Sequence, residues 1–77
     1  MSDRFSELDG VLDEESWDFL WTNYPPLAVA VQTAVQKGLT PGDIRRRVVE
    51  RMGQHREALA IRCENAARHL HAAKKRA

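Results

Sequence analysis

Cysteine is nearly missing from this chain. Cys63 stands alone, which excludes an intrachain disulfide framework and fits a reducing, cytoplasmic setting. No apolar run approaches the ~20 residues that a membrane helix needs. The opening stretch MSDRFSELDG has neither the basic nor the apolar region of a secretory signal, so no membrane contact is expected. There is no glycine-rich phosphate loop. Among His55, Cys63, His69 and His71 no two stand four apart, the spacing that places two ligands on one helical face. Neither a metal nor a cofactor is expected, and no nucleophile sits in a motif with a base. The chain reads as a non-enzyme.

Aromatic residues are absent beyond position 24: Phe5, Trp17, Phe19, Trp21 and Tyr24 are the full set. Charge is divided in the same way. Residues 1–24 carry Asp3, Glu7, Asp9, Asp13, Glu14, Glu15 and Asp18 against Arg4 alone, whereas the remainder is strongly basic and the sum is only +1. Seventy-seven residues make a single small domain. Its core supplies only ~3–5 kcal/mol of net stability, which favours association with itself or a partner.

Residues 1–12 mix acids, Ser6 and Gly10 with scattered apolar residues and read as a flexible acidic arm; residues 13–77 read as one helical domain. Asp13 is placed to cap a helix, with Glu14 and Glu15 at the positive end of its dipole. Trp17, Leu20, Trp21 and Tyr24 recur at i, i+3, i+4 and i+7, one helical face. Tyr24-Pro25 stops that helix, because the residue before a proline is pushed out of helical geometry. A second helix follows over PLAVAVQTAVQK, closed by Gly38.

Thr40-Pro41-Gly42-Asp43 is a helix start with a capping hydroxyl, a proline in the first turn and an acid at the third position. From it Ile44, Val48, Met52, His55, Leu59, Cys63, Ala66, Leu70 and Ala73 follow at steps of three and four, unbroken in phase across Gly53. That continuity predicts one long C-terminal helix, about 41–75, with a kink at Gly53 as the alternative. His55 and Cys63 on this stripe read as packed core residues. Asp43, Glu50, Glu57 and Glu64, seven apart, would form an outer acidic ridge paired as Asp43–Arg47, Arg46–Glu50 and Glu64–Arg68. The fold class is all-α: two short helices packed on one long one.

A 35-residue helix would span ~52 Å and two 12-residue helices ~18 Å each. Part of the long stripe would then be left bare, so self-association or a docked partner is expected. The expected function is a protein–protein interaction module, a homodimer or an adaptor subunit of a larger assembly. Trp17, Phe19, Leu20 and Trp21 on the acidic-aromatic segment, with Ala66, Leu70 and Ala73 at the far end, are the expected partner-binding residues.

Residues 34–49 also resemble a DNA-reading helix-turn-helix through Ala34, Gly38, Leu39 and Ile44. Lys37 and Arg47 stand where that pattern carries apolar residues. The resemblance implies a small DNA-binding regulator with Arg45, Arg46 and Arg47 on nucleic acid, the alternative to the interaction module. On a helical wheel these three arginines point in different directions rather than along one groove-facing stripe.

Overall fold

The computed structural model describes the backbone of residues 2–76 and the side chains of residues 12–74. Four α-helices follow one another, α1 (Ser2–Asn23), α2 (Pro25–Gln36), α3 (Pro41–Met52) and α4 (Glu57–Arg76), with a single 3-10 turn at Gln54–Arg56 before α4. No strand occurs among the described residues. The protein is an all-α bundle in which α1 and α3 pack chiefly on α4, and α2 closes over α1 and α4.

Local chemistry sets the first two boundaries as expected. Tyr24 leaves helical geometry (φ −139°, ψ 61°) ahead of Pro25. Its N–H still donates to the Leu20 carbonyl at 2.7 Å, and its own carbonyl accepts from Leu27 and Ala28 at 2.9 and 3.0 Å. One residue therefore ends α1 and starts α2, and the two prolines occupy first-turn positions whose N–H groups would have no helical acceptor. At the other end of α2, Gly38 takes φ +91°. The Gly38 N–H donates to Val35 and the Leu39 N–H to Ala34, at 3.0 and 3.1 Å. This is a Schellman closure, which only a residue without Cβ adopts cheaply.

Thr40 opens α3 with a reciprocal cap. The Asp43 N–H donates to Thr40 Oγ1 at 3.1 Å, and the Thr40 N–H donates to Asp43 Oδ2 at 3.3 Å. Hydrogen bonds from the Thr40 side chain and backbone hold the Asp43 carboxyl below its ordinary value of 3.8, helped by the Arg46 and Arg47 charges.

Two expectations are corrected. The stripe from Ile44 to Ala73 does not lie on one long helix: the chain breaks at Gly53 (φ +93°, ψ 161°), and the 41–75 segment becomes α3 and α4 folded against each other. The fold-back shows in Arg45 of α3, which reaches Glu57 and Glu64 of α4. Gly53 could not be another residue without strain, because its φ is in the region reserved for glycine and a Cβ there would lie 2.9 Å from His55 Nδ1. With the break, α4 has 20 residues and α1 has 22, lengths of ~30 and ~33 Å. The length mismatch that called for a partner on the bare end of a long helix therefore does not arise.

Asp13, in turn, is no helix start. The backbone of α1 is helical from Ser2, so the segment expected as an arm is continuous with it, and its side chains through Val11 lie outside the described residues. The face α1 buries is Asp13, Ser16 and Leu20, turned by roughly 50–60° from the Trp17–Leu20–Trp21 face.

The core sits around α4. Leu59, Ala60, Cys63, Ala66 and Ala67 are buried there against Leu20, Ala28, Val31, Val35, Ile44 and Val48. These α4 positions form two overlapping rows covering ~120° of the helix, wider than a single stripe, as a central helix with several neighbours requires. Apart from Leu59 their side chains are small, which allows the neighbours to approach closely.

The sign of a substitution separates a broken helix from a continuous one. Gly53→Ala should destabilise by at least ~1 kcal/mol in denaturant unfolding, whereas a continuous helix would gain about that much. Gly42→Ala, inside α3 with only an ordinary contact to Thr40 at 3.9 Å, should stabilise by ~0.4–1 kcal/mol. Thr40→Ala should cost ~0.5–2 kcal/mol for its lost cap. Asp43→Asn should lower the melting temperature at neutral pH. Asp43's pKa is lower in the folded state, so its charge stabilises the fold above 3.8 and that contribution is lost as pH falls through the lowered value. The gap between Asp43→Asn and the wild type should therefore close in acid.

Candidate functional site

Of the residues expected to bind a partner, Leu20 and Ala66 are fully enclosed in the chain's own core and offer nothing outward. Leu70 is half-buried against that core, and Ala73 is exposed. Phe19 is half-buried, with the Arg62 guanidinium 4.4 Å from its ring centre and the Tyr24 ring at 6.0 Å. Trp17 and Trp21 meet edge to face at 5.5 Å and 82°. Trp17 is half-buried, while Trp21 remains 41 % exposed. Beside it on the outer face of α1, at i, i+4 and i+7, stand exposed Glu14 and Asp18.

The arginines of the DNA-reading alternative are not equivalent. Arg45 Nη2 lies 2.8 Å from Glu57 Oε1, and its Nη1 lies 3.7 Å from Glu64. Arg46 and Arg47 are exposed. The acidic ridge does not form, because its four members fall on two helices: Asp43 caps α3, and Glu57 and Glu64 turn toward Arg45. Of the three expected i, i+4 pairs, Glu64–Arg68 is present at 3.7 Å. Asp43–Arg47 and Arg46–Glu50 do not come within ion-pair distance among the described residues.

Sequence reasoning missed a polar seam between α1 and α4. Arg68 Nη1 reaches buried Asp13 at 3.2 Å and Asn65 Oδ1 at 3.4 Å, and Asn65 Nδ2 donates to buried Ser16 at 3.4 Å. No buried side-chain polar atom is left without a partner among the described residues. The seam fixes how α1 sits on α4, since a slip of either helix would strand these groups in the core.

Cys63 is fully buried, and loss of solvent pushes its thiol up to about 11. It is a neutral core thiol at physiological pH rather than a nucleophile. His55 is exposed instead of packed. His71 Nε2 meets the Leu39 carbonyl at 3.0 Å; a carbonyl only accepts, so the proton is on Nε2. This bond ties α4 to the α2–α3 turn. Among the described residues no group of three or more His, Cys, Asp or Glu side chains could hold a metal ion.

What the structure opens is a groove between α2 and α3, which scarcely touch each other. It is partly open and holds about 390 Å³ over buried Val31, Ile44 and Val48 and half-buried Leu27, Ala34 and Leu39, with exposed Ala30 and Met52 at its edges. Lys37, Arg47 and Arg51 stand on its rim. All three are exposed, and none is in an ion pair among the described residues. The signal for this site was present in the sequence: Lys37 and Arg47 are the two residues that depart from the helix-turn-helix pattern. No match to this chain is found among protein-family models, curated proteins or solved structures.

Burial and the raised thiol pKa together set the reactivity of Cys63. Alkylation by iodoacetamide at mildly alkaline pH should run at least roughly 100-fold slower in the native protein than in denaturant. Comparable rates would mean that α4 is not enclosed as described.

Proposed function

We propose that the protein is a non-enzymatic protein–protein interaction module that receives an apolar helical face in the groove between α2 and α3. It would act as a homo-oligomer or as a subunit of a larger assembly. One observation carries this reading: a partly open apolar groove beside three exposed cations that are in no ion pair among the described residues, in a fold whose buried polar side chains there are satisfied. The groove has room for a few anchor side chains, which is what helix-in-groove recognition inserts at i, i+3 or i+4 and i+7. A small-molecule site would instead bring polar groups together inside the cavity. Here the polar side chains stand at the edge, and Thr33 is occupied with the Val29 carbonyl at 3.0 Å.

Binding of duplex DNA through Arg45, Arg46 and Arg47 has less support, because Arg45 is engaged by Glu57 and Glu64. A cytoplasmic location accords with the lone, buried thiol. No helix among the described residues is long and apolar enough to cross a membrane.

Ala30 is exposed at the groove edge, so Ala30→Trp fills the groove without touching the core. The full-length wild type, cross-linked in its native cells, should appear in species larger than the monomer. Ala30→Trp, with unchanged helicity and melting temperature, should lose them at least tenfold. A wild type found only as unpartnered monomer, or an Ala30→Trp chain that keeps the same species, would refute the groove reading.

A further inference from the structure

The occupant of the groove has a counterpart on the opposite kind of surface of the same chain. Exposed Glu14, Asp18 and Trp21 share one face of α1, an aromatic anchor flanked by two carboxylates. The groove presents the complement, an apolar floor flanked by Lys37, Arg47 and Arg51. Building on the groove reading above, we infer that the occupant is a second copy of this chain, inserting the Trp21 face of α1 between α2 and α3.

Three considerations select a second copy. First, the charges match in sign and place: two carboxylates a turn apart meet a rim of three cations, and none of these cations is in an ion pair within its own described chain, Arg47 acting on Asp43 only from beyond ion-pair distance. Second, a chain does not satisfy itself. The Trp21 face and the groove belong to helices held in one bundle by the α1–α4 seam and the His71–Leu39 bond, and both remain exposed there. Third, tryptophan is the side chain most often found as the energetic centre of an interface when it enters an apolar pocket. Trp21 keeps 41 % of its surface open, while Trp17 holds it edge-on at 5.5 Å, so its ring is already positioned before contact. Opposite charges around such an anchor speed encounter and fix register more than they add affinity.

The experiment is a charge swap read by sedimentation velocity on the purified full-length chain. Wild type should self-associate as its concentration rises, and added salt should weaken the association. Reversing the face (Glu14→Lys with Asp18→Lys) leaves basic meeting basic, and reversing the rim (Lys37→Glu, Arg47→Glu, Arg51→Glu) leaves acid meeting acid. Each variant alone should be monomeric, with self-association weakened at least tenfold. Mixed one to one, the two should associate again, as should a chain carrying both sets of changes. All these positions are exposed, and circular dichroism with thermal melting checks that each variant is folded; Trp21→Ala, which changes no charge, should also weaken association at least tenfold. A wild type that stays monomeric at every concentration overturns the inference. So does a reversed variant that associates as well as wild type, or a mixture that fails to restore association. If the isolated wild type is monomeric yet Ala30→Trp still strips a cross-linked partner in cells, the second copy is overturned while the groove reading stands.

Discussion

The structure depends on the backbone at Gly53. With φ at +93°, the residue takes a conformation in which a side chain would collide with His55, and that conformation turns α3 back along α4. Had the helix run on, Arg45 would be far from Glu57 and Glu64, α4 would have no neighbour on its α3 side, and α2 would follow α3 outward. Because the chain turns, three helices converge on α4. The long-range ion pairs, the enclosure of Cys63 and the separation of α2 from α3 follow from the same reversal.

Once α4 is central, its composition becomes intelligible. A helix touched by several neighbours buries a wide arc, and wide arcs made of large residues would hold those neighbours apart. Ala60, Cys63, Ala66 and Ala67 are fully buried and small, so the bulk in the core comes from the helices around them, in Leu20, Val31 and Ile44. Small interlocking side chains alone specify position weakly, because alanine rows slide past one another at little cost. The Asp13–Arg68 and Ser16–Asn65 contacts supply the missing register. Their net contribution to stability is modest, but displacing them would leave buried polar groups unpaired.

Helix termini were legible in the sequence because their causes are local. Tyr24-Pro25, Gly38 and the Thr40–Asp43 pair act within a few residues of themselves and appear in the structure as the sequence implies. The break at Gly53 was not legible from the apolar stripe. Ile44 and Val48 face the same core as Leu59, Cys63 and Ala66, so the phase is continuous whether the two segments are collinear or folded back. Periodicity reports which side of a helix is buried and says nothing about the angle to the next one. Asp13 shows the same limit in another form: it is a good cap by type, yet its partner Arg68 is 55 residues away. Ala60 and Ala67 were overlooked because they stand on the flank of the single stripe that carries Ala66 and Ala73, and only a second neighbouring helix buries that flank. The groove was half visible. Lys37 and Arg47 stood out as misfits in a motif of apolar positions, and the physical reason is that those positions border an open surface instead of a closed helix pair.

That border explains how a small protein can leave an apolar groove partly open. An exposed apolar channel is an association hazard when its edges are neutral, because any apolar surface can enter it. Lysine and arginine change this in two ways. Their aliphatic stems lie over apolar surface while their charged ends stay in water, which shields part of the floor in the free state. Their charges also repel one another and any basic visitor, and only an acidic one relieves that repulsion. The rim thus makes the groove selective by sign before shape is tested. Exposed Glu14 and Asp18 stand beside Trp21 at the other end of the charge division. So the asymmetry between an acidic first third and a basic remainder, although Asp13 pairs with Arg68 inside the bundle, is not used up there.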